Sequence, residues 1–283
     1  MNSMKGKRVL ITGPTSGVGK EIAVQLAILN AEVILGCRDV KKGEKVASEI
    51  TRRTGSEKLV VMPIDTSSQA SIRQFAEEFR HKYRRLDVLI NNAAISRGRL
   101  PKVNSVDGIE LTFATNVLGY FLLTQELLDL LKKSAPARIV NVASSFAGDL
   151  DLDDLQFERR RFESAKAYAQ SKACDRMLTW AWARRLEGTG VTVNAMTPGL
   201  ITETGLYRDS EPGLIERLAQ YSGGRTSAQG ADTAVWLASA PELEGVSGKF
   251  FEDREELPCE FRNEKAEEKL WRICEELINK SNS

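Results

Sequence analysis

The stretch RVLITGPTSGVGK, Arg8 to Lys20, decides the fold. It joins a β-branched apolar run to a turn holding Gly13, Gly17 and Gly19, and then to a helix-period segment. Glycine in a strand-to-helix turn permits positive φ and lets backbone N–H groups approach an anion closely. The following helix N-terminus adds a favourable dipole. Placed after the first strand of an alternating chain, the turn points to a dinucleotide phosphate site, with an ordinary tight turn as the alternative. A triphosphate P-loop is excluded by counting. With Gly19-Lys20 as its end, the first glycine would fall on Pro14, and the next residue would be Glu21 rather than Ser or Thr.

Outward from that stretch, strand-like runs recur: EVILGC (32–37), LVVMPID (59–65), LDVLINNA (86–93), ARIVNVAS (137–144), VTVNAMTP (191–198) and a weaker GKFFED (248–253). Amphipathic stretches near 18–29, 41–53, 68–83, 110–133 and 164–187 lie between them. The early runs are apolar without alternation, which predicts strands buried on both faces of a parallel sheet. The chain therefore reads as α/β: a Rossmann-type doubly wound sheet of about seven strands flanked by helices. One domain is expected over 1–253, with a C-terminal extension, 254–283, that is helical and docked on it through Leu270, Ile273, Cys274 and Leu277. The charged segment 149–165 stands outside the alternation. Its acidic cluster, Asp149, Asp151, Asp153 and Asp154, reads as a solvated loop, with a cation site as the alternative.

Composition narrows the function. With 40 basic against 39 acidic residues, no global field favours nucleic acid or anionic lipid. Cys37, Cys174, Cys259 and Cys274 form no C-x-x-C pair, and His81 is the single histidine, so neither a metal site nor a Ser-His-Asp triad is expected. No apolar run near the start is long enough for an anchor, and a cytoplasmic protein is the expectation.

In AYAQSK (167–172), Tyr168 and Lys172 stand at i and i+4 on one helix face, and spacing alone suggests a solvated surface. The surrounding motifs change that reading. TGPTSGVG at 12–19, NNAA at 91–94, Asn116 in a long helix, NVASS at 141–145, YAQSK at 168–172 and PG at 198–199 occur in one order. By these motifs the chain resembles the short-chain dehydrogenase/reductase family over nearly its whole length. The phrases GCRDVKKGE, DLDDLQFE and SGKFFEDRE resemble the branch containing the retinol dehydrogenases and the WW-domain oxidoreductase.

The resemblance implies a nicotinamide coenzyme, cradled by Gly13, Thr15, Ser16, Gly17, Val18 and Gly19. Members that prefer NAD carry an acidic residue at the end of the second strand. Here Cys37 holds that place and Arg38 follows, and a guanidinium can bind a 2′-phosphate bidentately. NADP(H) is therefore favoured, with NAD(H) as the alternative. Asp65 and Thr66 are expected near the adenine, and Asn92, Ala93 and Ala94 along the trench, Ala94 departing from the family's usual glycine. Pro198, Gly199, Ile201 and Thr202 should flank the nicotinamide. Glu203 stands where the family's threonine usually falls, which leaves Thr204 as the alternative to Thr202.

By the same resemblance the catalytic set is Asn116, Ser144, Tyr168 and Lys172, with Ser145 as the alternative serine. Reducing a carbonyl needs a hydride on carbon and a proton on oxygen. A phenol of ordinary pKa near ~10 holds its proton tightly, and a nearby ammonium favours the phenolate. Tyr168 is then the general acid or base, and Lys172 tunes it and donates to the coenzyme ribose. Ser144 steadies the substrate oxygen, and Asn116 holds a water that connects Lys172 to solvent. Segment 202–224 is expected to be a substrate lid offering Leu206, Tyr207 and Leu214 to a small apolar aldehyde, ketone or alcohol. Related proteins form dimers or tetramers on the helices carrying Asn116 and Tyr168, so a homodimer or homotetramer is expected. A nucleotide-sugar epimerase or dehydratase, and a non-catalytic NADP(H)-binding regulator or scaffold, are the competing readings.

Overall fold

The computed structural model describes residues 3–280; the outermost positions of the two expected segments, 1–2 and 281–283, lie outside it. The chain alternates from β1 (Arg8–Thr12) through α1 (Gly17–Ile28), β2 (Glu32–Cys37), α2 (Val40–Thr54), β3 (Leu59–Pro63) and α3 (Gln69–Lys82) to β4 (Val88–Asn91). After β4, a short α4 (Leu111–Phe113) passes through a π-helical turn (Ala114–Leu118) into α5 (Gly119–Lys133). Then come β5 (Ala137–Val142), α6 (Ser164–Arg185), β6 (Val191–Met196), α7 (Leu214–Ser222) and α8 (Ser227–Ser239). The hairpin β7 (Phe250–Glu252) and β8 (Glu255–Leu257) precedes α9 (Glu264–Lys280).

Among the described residues the strands form one eight-stranded sheet in the order β3-β2-β1-β4-β5-β6-β7-β8, parallel except for β8. The uninterrupted apolar runs follow from burial on both faces. In β1, Leu10 faces the layer built by α3, α5, α6 and α9, while Val9 and Ile11 face the layer built by α1, α2 and α8. The chain winds one way from β1 to β3 and resumes at β4 on the other side of β1. At such a reversal neighbouring connections leave in opposite directions and open a crevice at the carboxyl ends of the strands.

Three features depart from the expectation. The boundary at 253/254 falls inside the hairpin turn: Asp253 and Arg254 both take positive φ, at 50° and 64°, and the sheet continues to Leu257. Helix α8 went unread, although Thr226 and Gln229 form a capping box ahead of it, a pattern visible in the sequence. Segment 149–165 is braced rather than solvated. The buried Asp154 carboxylate accepts from the backbone N–H of Glu158 at 2.7 Å and of Arg160 at 2.9 Å, and from the Arg160 guanidinium at 3.2 Å. Burial works against its charge, but these donors outweigh it and hold the carboxyl down at about 2. Arg160 then ties the segment to Gln170 of α6 at 2.8 Å.

α9 packs its Leu270, Trp271, Cys274 and Ile278 into the core. Trp271 meets Trp182 at 4.5 Å and Phe121 at 4.8 Å between ring centres, while the Arg185 guanidinium lies over its ring, 3.7 Å from the centre. Glu267 pairs with Arg184. No helix among the described residues is long and apolar enough to cross a membrane.

Candidate active site

A cavity of about 590 Å³ runs along the carboxyl ends of the strands. Its first wall is the glycine turn. Gly13 has φ +66°, and a Cβ there would lie 2.8 Å from Ala93 Cα; a Cβ on Gly19 would lie 2.5 Å from Gly13 O. The close approach is stitched by side chains: Asn92 Nδ2 donates to Thr12 O at 2.9 Å, and Thr12 Oγ1 accepts from Asn92 N and Ala93 N at 3.0 and 3.1 Å. Ser16 caps α1 in an extended conformation without a side-chain cap bond, and the first turn carries no acidic residue. The positive end of α1 is thus free to receive an anion. The residues fit a dinucleotide pyrophosphate.

At the far end of this wall, Cys37 is buried, its thiol 3.4 Å from Asp39 O. Arg38 is 80% exposed and stands 3.9 Å from the Asp65 carboxylate, so its guanidinium is only loosely held. Lys42 also lines the cavity, giving this end two cations. Lys42 is placed there by the cap of α2, where Asp39 accepts from Lys42 N at 2.9 Å.

Thr15, Ser16, Val18, Thr66, Asn92, Ala93, Ala94, Pro198, Gly199 and Ile201 line the cavity together with Gly13, Gly19, Arg38 and Asp65. Gly17 sits just behind, where a Cβ would touch Thr204 Oγ1 at 3.2 Å. Thr202 does not reach the cavity. It is exposed, and its N–H donates to Arg225 O at 3.2 Å because residues 201 and 225 pair as a short parallel bridge. Thr204 lines the cavity in its place. The bridge turns position 202 outward, and two residues further on the chain faces inward again.

The chemical end of the cavity is built by β5 and α6. Ser144 lines the cavity beside Tyr168, whereas Ser145 is exposed and its backbone N–H donates to Thr197 Oγ1 at 3.0 Å. Ser144 is fixed on two sides: its hydroxyl accepts from Phe146 N at 3.0 Å, and its carbonyl accepts from Arg176 at 2.6 Å. Arg176, absent from the sequence reading, is buried with its guanidinium 3.8 Å over the Phe250 ring. Phe146 lies nearly parallel to Tyr168, 6.4 Å between ring centres, and is exposed.

Tyr168 and Lys172 do not occupy a solvated face. α6 is enclosed along most of its length, and the two residues are 8% and 1% exposed. Burial pushes the Tyr168 phenol up to about 12; the neighbouring Ser144 hydroxyl opposes the rise and Asp175 adds to it. The expected lowering of this phenol by Lys172 is therefore absent in this arrangement. The ammonium donates to Asp175 at 2.8 Å and to Val142 O at 2.9 Å, and its charge is compensated there.

Asn116 also differs from expectation. It lies in the π-helical turn, fully buried, and does not line the cavity. Its amide bonds both Ile95 N and Ile95 O, at 2.9 and 3.0 Å, and donates to Ser171 Oγ at 3.0 Å. Ser171 in turn donates to Tyr168 O at 2.7 Å. In place of an open water site, Asn116 forms a brace between the loop after β4 and the turn of α6 that carries Tyr168. The outer wall comes from segment 202–224, where Leu206 and Tyr207 line the cavity beside Arg208 and Asp209; Leu214 does not. The lining is more polar than the apolar contact expected.

Fold and site together define the class. A family model described as short chain dehydrogenase matches residues 7–214, and the chain belongs to that family of NAD(P)-dependent oxidoreductases. Within it, the chain is similar to retinol dehydrogenase 14 of Homo sapiens, 41% identical over 296 residues, covering 97% of this chain and 87% of the relative. Among solved structures it is similar to the RhlG/NADP active-site complex of Pseudomonas aeruginosa, at 28% identity and a TM-score of 0.72, covering 88% and 95% of the two chains. It is also similar to a 3-ketoacyl-(acyl-carrier-protein) reductase from Brucella melitensis complexed with NADH, at 25% identity and a TM-score of 0.70, covering 88% and 97%.

Proposed function

We propose that this protein is an NADP(H)-dependent oxidoreductase that interconverts an apolar aldehyde or ketone with its alcohol, using Tyr168 as general acid and base. The observation that carries the reading is that Ser144, Tyr168 and Lys172 stand together in the wall of the cavity that begins at the glycine turn. When bound, a reduced nicotinamide supplies the hydride. Tyr168 gives its proton to the carbonyl oxygen in reduction and takes it from the alcohol in oxidation, while Ser144 holds that oxygen in place. Asn116 and Ser171 keep the Tyr168 turn in register with the loop after β4. Phe146, Leu206 and Tyr207 offer the apolar surface for the rest of the substrate. The likeness to retinol dehydrogenases makes long apolar aldehydes the first to test.

Preference for NADP(H) is supported by Arg38 and Lys42 at the adenosine end, and by the absence of an acidic side chain at Cys37. A homodimer or homotetramer built on the helices carrying Asn116 and Tyr168 would meet α9, whose Trp271 packs on Phe121 of α5 and Trp182 of α6. The test is an aldehyde panel assayed with both coenzymes. Tyr168→Phe is expected to remove nearly all turnover and leave coenzyme affinity close to wild type. Arg38→Asp is expected to weaken NADPH far more than NADH. Tight NADPH binding with no turnover on any aldehyde would instead support the non-catalytic regulator.

A further inference from the structure

The Lys172 ammonium is shared between Val142 O and a carboxylate on its own helix, Asp175, at 2.8 Å. This ion pair is sealed: the two side chains are 1% and 0% exposed. Only one Asp175 oxygen is engaged; Oδ1 is buried without a hydrogen-bond partner. Beside Asp175 a small space of about 10 Å³, lined by Tyr120, Thr124 and Asn141 among others, leaves room for about one water-sized group. Nothing in the oxidoreductase chemistry above uses this carboxylate. A buried, half-satisfied acid is costly unless it is paired, and among the described residues its one ion pair is with the lysine beside the phenol.

We propose that Asp175 is the resident counter-ion of Lys172 and determines how much of the lysine's charge is felt at the Tyr168 hydroxyl. The inference rests on the reading of Tyr168 as proton donor and acceptor. With the carboxylate ionised, the pair is a compact dipole whose field at Tyr168 nearly cancels. With the carboxyl neutral, the ammonium acts alone and the phenolate is favoured. Lys172 Nζ lies 5.9 Å from the Tyr168 ring centre, close enough for an uncompensated charge to matter in a dry site.

The groups facing Asp175 agree with this assignment. On α6 these are Lys172, Tyr168 and Cys174; Tyr120 faces it from α5 and Cys274 from α9. Burial pushes Tyr120 and both thiols up, so none of them supplies charge near neutrality. Burial also disfavours the Lys172 ammonium, but Asp175 and Tyr120 outweigh it and keep the amine protonated. Asp175 itself is raised by burial, against the pull of Lys172, to about 7.

The experiment is ultraviolet titration of the Tyr168 phenol in the coenzyme-free protein, taken as the difference between each protein and its Tyr168→Phe counterpart. It is run beside the pH profile of kcat/KM for alcohol oxidation. Asp175→Asn keeps the shape and removes the charge. It is expected to move the phenol's titration, and the rising limb of the oxidation profile, to lower pH by about one unit, a tenfold gain in phenolate fraction at fixed pH. Asp175→Glu, whose extra methylene can enter the adjoining space, is expected to restore the wild-type midpoint. If Asp175→Asn does not fold, Asp175→Ser removes the same charge with a smaller group. An unmoved phenol titration in a folded neutral variant overturns the proposal, even where activity still depends on Tyr168. A shifted titration in a protein that turns over no alcohol upholds the counter-ion and overturns the proposed activity instead.

Discussion

Gly19→Ala separates coenzyme binding from stability. Gly19 lies in the first turn of α1, and alanine is favoured over glycine in a helix by up to about 1 kcal/mol. Its Cβ, however, would lie 2.3 Å from Asn92 Nδ2 and 2.5 Å from Gly13 O. The amide can swing away only by giving up its bonds to Thr12 O and Gly13 O, at 2.9 and 3.2 Å. Those two bonds contribute roughly 0.5–1.5 kcal/mol each. The carbonyl is backbone, so the glycine turn itself must shift by several tenths of an ångström. The lost bonds outweigh the gain in helix propensity, and stability is expected to fall by up to about 2 kcal/mol. The displaced turn no longer presents its N–H groups to the pyrophosphate, and NADPH affinity should fall by roughly ten- to a hundredfold, about 1.4–2.8 kcal/mol. Gly55→Ala is the converse control. Gly55 ends α2 at φ +72° with nothing within 4 Å of a Cβ, so alanine there should cost about 1 kcal/mol of stability and leave binding untouched. Fluorescence titration with NADPH and urea unfolding measure both quantities. Wild-type affinity in Gly19→Ala would show that the turn is not the phosphate cradle.

Thr204→Val should weaken coenzyme binding several-fold, whereas Thr202→Val, altering a side chain outside the cavity, should not; equal effects in the same titration would contradict the inward placement of Thr204. Trp271→Ala removes a side chain that is 7% exposed and packed on Phe121 and Trp182, and should cost about 3–5 kcal/mol in urea unfolding. A loss below about 1 kcal/mol would mean that α9 adds little to the folded unit. Asp154 has a folded pKa of about 2, below its ordinary value, so its contribution is present above the unfolded pKa and is lost as pH falls through the folded one. The advantage of wild type over Asp154→Asn should therefore hold steady from neutral pH to about 5 and fade between roughly pH 4 and 2. An advantage that survives at pH 2 would mean that the ionised carboxylate is not its source.

The class of protein was legible from the sequence because its signals are local. The β-branched run of β1, the three glycines after it and the four-residue step from Tyr168 to Lys172 depend only on backbone conformation and strand or helix period. A capping box at Thr226 announced α8 in the same local way, though it was passed over. Decisions made between distant segments were not legible. Position 202 faces outward because Ile201 pairs with Arg225, so Thr204 takes the inner place. Asn116 spends its amide on Ile95 and Ser171, and Arg176 reaches the Ser144 carbonyl only because β7 puts the Phe250 ring under its guanidinium. The direction of the Lys172 side chain is the sharpest case. Its helical position follows from the sequence, but whether its charge serves the phenol or a buried carboxylate depends on packing. The sheet and the neighbouring helices close around α6, exclude water and leave Asp175 as the ionic partner of Lys172 among the described residues.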